Sequence, residues 1–241
     1  MKENIIKEFH YQGEFYKYTV VRSKRKTFAI SVGPDKGIVV KIPLHFPAAD
    51  VEKLVMEKAE WITEKYNQME EQQKDKPVHY FESGEVFPYR GTGLVLNLII
   101  NRDRKRIMVK KQAGTLLVVS PSSESAVMKD AIEKWYRERA REVITDKVIY
   151  FQRFIGKSVG EIRIKEQKSR WGSCSSQGNL NFNWKIVMAP DEIIDYLVVH
   201  ELCHRLHMNH SKEFWDSVGV IIPDYEKREK WLKENGNLLC L

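Results

Sequence analysis

A pattern of three apolar strands followed by a helix occurs twice in this chain, and no other feature of the 241 residues constrains the fold as much. The first copy reads Tyr18-Thr19-Val20-Val21, then Thr27 to Val32, then Gly37-Ile38-Val39-Val40-Lys41-Ile42-Pro43. The second reads Leu96-Asn97-Leu98-Ile99-Ile100, then Ile107-Met108-Val109, then Gly114 to Pro121, about 78 residues further on. Each set then gives way to helical periodicity. Helices are expected at about 48–69, with Val51, Leu54, Val55, Ala59, Trp61, Ile62 and Tyr66 as the apolar stripe, and at about 122–154, burying Val127, Ile132, Trp135, Tyr136, Val143, Ile144 and Val148. Between the copies, Glu70 to Pro77 loses all apolar periodicity. A division is expected there, with an N-terminal β-rich unit and its helix over 1–76 and a second β-rich unit over 77–241. The expected fold class is α+β, a duplicated strand-strand-strand-helix unit followed by a small sheet and a further helix.

That further helix carries His200-Glu201-Leu202-Cys203-His204. Ile193, Ile194, Leu197 and Val198 recur at helical spacing, Asp191 is positioned to cap, and neither proline nor glycine intervenes before Asn209, so one helix is expected over about 191–208. Two histidines four apart stack on one helix face and can converge on a single metal ion at about 2.0–2.1 Å from each nitrogen. Glu201 sits beside that position, where a general base for water belongs. A third ligand is needed. His207 shares the face but lies roughly 10 Å along the axis from His200 at ~1.5 Å per residue. His210 follows Asn209, a residue that tolerates the left-handed turn ending a helix, and is the preferred third ligand. Three protein ligands and an open fourth position is the catalytic arrangement of zinc, with one Zn2+ per chain expected. Cys203, on another face, is expected to act as a small buried hydrophobe.

Upstream, Lys168 to Trp184 looks like two short strands around Ser175-Ser176-Gln177-Gly178, with Leu180, Phe182 and Trp184 alternating with Asn179, Asn181 and Asn183. Such a hairpin can lay an edge strand beside the helix, where an extended peptide would pair.

These residues carry a family resemblance. Ser169-Arg170-Trp171-Gly172-Ser173-Cys174, Gly178-Asn179-Leu180, Ala189-Pro190, the His200 to His204 motif and Asn209-His210-Ser211-Lys212-Glu213-Phe214-Trp215 together resemble the YgjP-like zinc metallopeptidases, relatives of the SprT-like group. The resemblance covers nearly the whole chain, with its most specific motifs between 168 and 215. It implies a gluzincin-like core in which His200, His204 and His210 hold zinc and Glu201 is the base. Pro223-Asp224-Tyr225 and Trp231-Leu232 agree with the pattern that follows the third histidine.

The expected reaction is hydrolysis of peptide bonds, with Glu201 taking a proton from water and passing it to the leaving amine. Arg170 and Tyr225 are the candidates for stabilising the oxyanion, and Asp224 for orienting a ligand histidine. Phe214 and Trp215 are expected to pack the turn carrying His210. Two other classes stay open: a nucleic-acid-associated protease, and a metal-dependent hydrolase of a non-peptide substrate, since the motif fixes the activated water better than the bond attacked.

Composition bears on partners and compartment. The net charge of +7 reflects basic turns at Arg22-Ser23-Lys24-Arg25-Lys26 and at Arg102 to Arg106, which allow weak nucleic-acid binding but are more often solvated loops. Cys174, Cys203 and Cys240 have no paired spacing, the first residues lack a signal peptide's apolar core, and no run approaches the ~20 apolar residues of a membrane span. A cytoplasmic enzyme without a membrane partner is expected, acting on protein or peptide.

Overall fold

A computed structural model describes residues 4–33, 36–74, 76–167 and 170–241, so Lys168 and Ser169 of the expected hairpin lie outside the described residues. The described residues form three small sheets and six α-helices, an α+β fold, in two compact units, Met1–Lys76 and Pro77–Leu241.

In the first unit, β1 (Asn4–Tyr11), β2 (Glu14–Ser23), β3 (Ala29–Gly33) and β4 (Gly37–Pro43) form a sheet in the order β1-β2-β4-β3. Only the β2–β4 pair is parallel. Tyr18 and Val20 of β2 and Ile38, Val40 and Ile42 of β4 alternate onto one face, where Val51, Val55, Ala59 and Ile62 cover them. The expected single helix is two, α1 (Ala48–Glu57) and α2 (Ala59–Lys74), broken at Lys58, whose φ of −111° leaves helical geometry. Trp61 was expected in the apolar stripe and is 43% exposed instead, because the stripe is complete with its neighbour Ile62. Arg22, counted in the basic turn, lies near the end of β2 and donates to the carbonyls of Leu44 and Phe46 at 2.7 and 2.8 Å, so its charge braces the connection between β4 and the first helix.

The second unit repeats this arrangement. β5 (Val86–Tyr89), β6 (Thr92–Ile100), β7 (Met108–Gln112) and β8 (Thr115–Ser120) pair in the order β5-β6-β8-β7, again with only the β6–β8 pair parallel. Each copy therefore has four strands, one more than the sequence pattern shows. β1 turns Phe9 and Tyr11 inward but exposes Ile5 and Ile6, so its apolar residues do not mark the buried face by alternation. β5 contains Pro88, which is tolerated because β5 pairs on one side only.

Helix α3 (Ser125–Ile155) covers the second sheet with Met128, Ile132, Trp135 and Tyr136, and Val127 and Val143 are only partly buried. The Tyr136 hydroxyl donates to the Pro88 carbonyl at 2.6 Å, and burial raises its pKa. The chain continues into a third sheet of β9 (Ile162–Lys165), β10 (Gly172–Cys174) and β11 (Leu180–Asn183), ordered β10-β11-β9. A 3-10 turn (Trp184–Met188) leads to α4 (Asp191–Cys203), then α5 (Lys212–Ile221) and α6 (Tyr225–Asn235). None of the helices described is long and apolar enough to cross a membrane.

Candidate metal centre

Helix α4 is held at both ends by polar contacts. Asp191 does not cap it, since Pro190 is the N-cap residue; its carboxylate instead accepts two hydrogen bonds from the Arg90 guanidinium, at 2.7 and 2.6 Å. That bidentate pair, followed by burial and the charge of Lys147, sets the Asp191 pKa, and the net shift is downward. Lys147 on α3 reaches Asp195 at 2.5 Å, and Lys157 donates to the Arg205 carbonyl at 3.2 Å. Both pairs are 48 residues apart in sequence, so α3 and α4 run side by side in the same direction. Between the ends, Ile194, Val198, Val199, Leu202 and Cys203 are fully covered. Burial pushes the Cys203 thiol up to about 12, in keeping with a packing role.

The expected helix over 191–208 stops at Cys203. Arg205, Leu206 and His207 then hydrogen-bond back to Leu202 and Cys203 in tight turns, and Asn209 has no left-handed backbone. These turns reverse the chain and return His210 toward the helix just before α5 begins. The imidazoles of His200, His204 and His210 converge, with one potential ligand nitrogen of each lying within 4.8 Å of the others. The Nε2 atoms of His200 and His210 are 3.1 Å apart. Two nitrogens on one tetrahedral zinc at ~2.0–2.1 Å would be about 3.3–3.4 Å apart, so this spacing suits a shared cation.

The His204 Nδ1 atom lies 3.0 Å from the His207 carbonyl oxygen. A carbonyl can only accept, so Nδ1 carries the proton and Nε2 keeps its lone pair for a metal. His207 thus acts through its backbone, and the His207 ring is outside the cluster. Asp224, expected in such an orienting role, instead pairs with Arg228 at 2.9 Å.

Burial, then the proximity of His204 and His210, pushes the His200 pKa down to about 3. Burial also lowers that of His204, against the opposing effect of the His207 bond. Both rings are therefore neutral at pH 7, the state in which imidazole binds metal. His200 Nδ1 is buried with no hydrogen-bond partner among the described residues. The donor set is wholly imidazole, which suits zinc and its transition-metal neighbours better than magnesium or calcium.

Phe214 forms the floor. Its ring is fully buried and lies 5.0, 4.6 and 4.8 Å from the centroids of His200, His204 and His210. Trp215 stacks on His210 at 5.7 Å, and Tyr225 stacks on Trp215 at 5.1 Å. Phe214 and Trp215 thus pack the His210 turn, as expected.

Glu201 is 4% exposed and faces β10. A Cβ on Gly172 would stand 2.5 Å from Glu201 Oε1 and 2.7 Å from its Cγ, so only glycine lets the strand backbone approach this carboxylate. Burial pushes the Glu201 pKa up to about 8, and the Arg170 charge opposes that rise. Arg170 is itself exposed. The hairpin is as expected, with Cys174 opposite Leu180 and Gly172 opposite Phe182, and β10 is the edge strand. At the turn, Gly178 has φ +85°, and its would-be Cβ lies 2.6 Å from the Arg205 guanidinium that braces the α4 end. The role of Gly172 was not legible in the sequence, because nothing along the chain says which side chain faces a strand glycine.

Comparison with known proteins places this geometry in context. No curated protein matches the chain. Among solved structures it is similar to the metallopeptidase zymogen of Pyrococcus abyssi abylysin, with 19% identity over 38% of this chain and 93% of that one, at a TM-score of 0.35. It is also similar to the metallopeptidase zymogen of Methanocaldococcus jannaschii jannalysin, with 25% identity over 41% of this chain and 96% of that one, at a TM-score of 0.33. The YgjP-like metallopeptidase domain matches residues 26–235, which takes in the first unit from β3 onward, the strands and helices of the second unit and all three histidines, and the chain therefore belongs to the YgjP-like metallopeptidase family.

Proposed function

We propose that this metallopeptidase is a zinc-dependent endopeptidase of the cytoplasm, acting on proteins or peptides, with His200, His204 and His210 as the ligands of one Zn2+ and Glu201 as the general base. The observation that supports it most is the convergence of three imidazoles, free of any carboxylate, next to one buried glutamate. When bound, zinc supplies Lewis acidity toward a carbonyl and makes water a stronger acid.

The chain's own groups do the rest. The His207 carbonyl fixes the His204 tautomer, and Phe214 excludes water from beneath the three rings. Glu201, pressed against Gly172, would be ionised by the charge of a neighbouring cation, which opposes the burial that raises its pKa, and it then takes a proton from water on a carboxylate oxygen and hands it to the departing amine. The edge strand β10 offers backbone groups to an extended substrate. Arg170, an exposed residue whose charge reaches Glu201, is one proposed donor to the oxyanion. Tyr225 is the alternative donor and is held by its stack on Trp215. The cytoplasm is proposed from cysteine usage, with three cysteines at unpaired spacing.

Metal analysis joined to proteomic identification of cleaved proteins tests this reading. Wild type should carry about one zinc per chain and generate new peptide termini, and His210→Ala should lose most of both. A His210→Ala protein that keeps zinc and activity would show that the ligand set is wrong.

A further inference from the structure

A second surface lies far from the histidines. Strand β7 is an edge strand, and none of its residues makes a backbone hydrogen bond outside its pairing with β8 among the described residues. Beside it, α3 presents Val127, Ala131 and Lys134 one turn apart. Strand and helix frame a groove of about 780 Å³. Its floor is apolar, formed by Ile107, Val109, Val127 and Trp135, and Arg104, Arg106 and Lys134 stand along it with Asp130 and Glu138. Measured along α3, the groove is about 20 residues, roughly 30 Å, from the end that meets Arg205 beside the metal centre.

We infer that this groove binds an extended peptide segment of alternating acidic and apolar residues, added as a fifth strand at the edge of β7. Three observations fix the occupant. Unpaired N–H and C=O groups on β7 call for a strand. Successive side chains of a strand point to opposite faces, so every second residue would meet the apolar floor. The remainder face a strongly basic stretch, since residues 102–111 hold Arg102, Arg104, Lys105, Arg106, Lys110 and Lys111 against Asp103 alone. Lysines on an edge strand discourage pairing with a like-charged strand, so a second copy of this basic edge is disfavoured and an acidic strand is selected. A nucleic acid would use the basic turn but leave the apolar floor and the strand edge unused.

The surface deepens the peptidase reading, by giving the enzyme a place to hold protein substrates away from the bond it cuts, and its use rests on that reading. Its existence is tested by binding alone. Fluorescence anisotropy is measured on the full chain carrying Glu201→Gln, with probe integrity checked by mass spectrometry. The probes are a labelled octapeptide of alternating glutamate and valine, its lysine–valine counterpart and an oligothymidylate. The glutamate–valine peptide should bind saturably and the lysine–valine peptide should not. Ala131→Trp, which fills the groove, and the double reversal Arg104→Glu/Arg106→Glu should each weaken binding at least tenfold. Should Ala131→Trp disturb the circular dichroism spectrum, Val127→Lys replaces it, placing a charge on the floor at a half-exposed position. Unchanged affinity in the groove-filling variant, equal binding of both peptides, or binding of the oligonucleotide alone would each overturn the inference.

Discussion

Gly172 and Glu201 meet so closely that each restricts the other. A methyl group at 172 would overlap the carboxylate at 2.5 Å, and one of the two must move. Overpacking of this kind costs about 1–3 kcal/mol, and here it is directed at the proposed base rather than at the proposed ligands. Gly172→Ala should therefore keep its metal, as read by metal analysis, while hydrolysis falls by roughly a hundredfold or more, the scale expected of a displaced acid–base group. Phe214 predicts the opposite division. Its ring touches all three imidazoles, and Phe214→Ala should lose about 3–5 kcal/mol in denaturant unfolding and weaken metal retention against a chelator. The histidine positions were legible because i, i+4 spacing is a property of the helix itself. His210 over His207 was legible from helix rise, although the chain returns through tight turns rather than through a left-handed Asn209. The backbone role of His207 and the seat at Gly172 depend on tertiary approach, which leaves no periodic trace.

At the level of elements, α4 is the part whose position matters most, and Arg90 joins the second sheet to its first turn. The Asp191 pKa is lowered chiefly by Arg90, so this pair stabilises the fold above the unfolded aspartate's pKa of about 3.9 and loses its effect as pH falls through the lower folded value. Asp191→Asn should thus unfold at a lower temperature than wild type at pH 7, and the gap should close below pH 4 in matched thermal melts. Both side chains are about two-fifths exposed, so the pair is worth no more than about 1 kcal/mol. Element boundaries were the least legible feature. The sequence pattern carries α4 five residues too far because Arg205 to Met208 keeps helix-compatible residues, while the Lys157 and Ser158 contacts to Arg205 belong to another part of the chain. β1 and β5 were unread for a different reason, one having its adjacent Ile5 and Ile6 both exposed and the other a proline.

Across the whole molecule, two sheets share one strand order and one set of strand senses, yet each packs its own core. The core around Ile38, Val40 and Ile42 contains only residues of the first unit, and the core that buries α4 only residues of the second. A chain truncated to 77–241 should accordingly fold and take up zinc, with a cooperative melt and a metal content like that of the full protein. The duplication was legible since three of the four strands in each copy are apolar runs between turn residues, whereas the candidate metal centre belongs to the second unit alone.

In the proposed mechanism the three histidines hold the metal and Glu201 moves the proton. Zinc content and protein hydrolysis measured together on wild type and Glu201→Gln test it most directly. About one zinc per chain is expected in both proteins, with hydrolysis in wild type only. Full activity in Glu201→Gln, or a wild-type protein that hydrolyses its substrate equally well after its metal has been stripped, would contradict it.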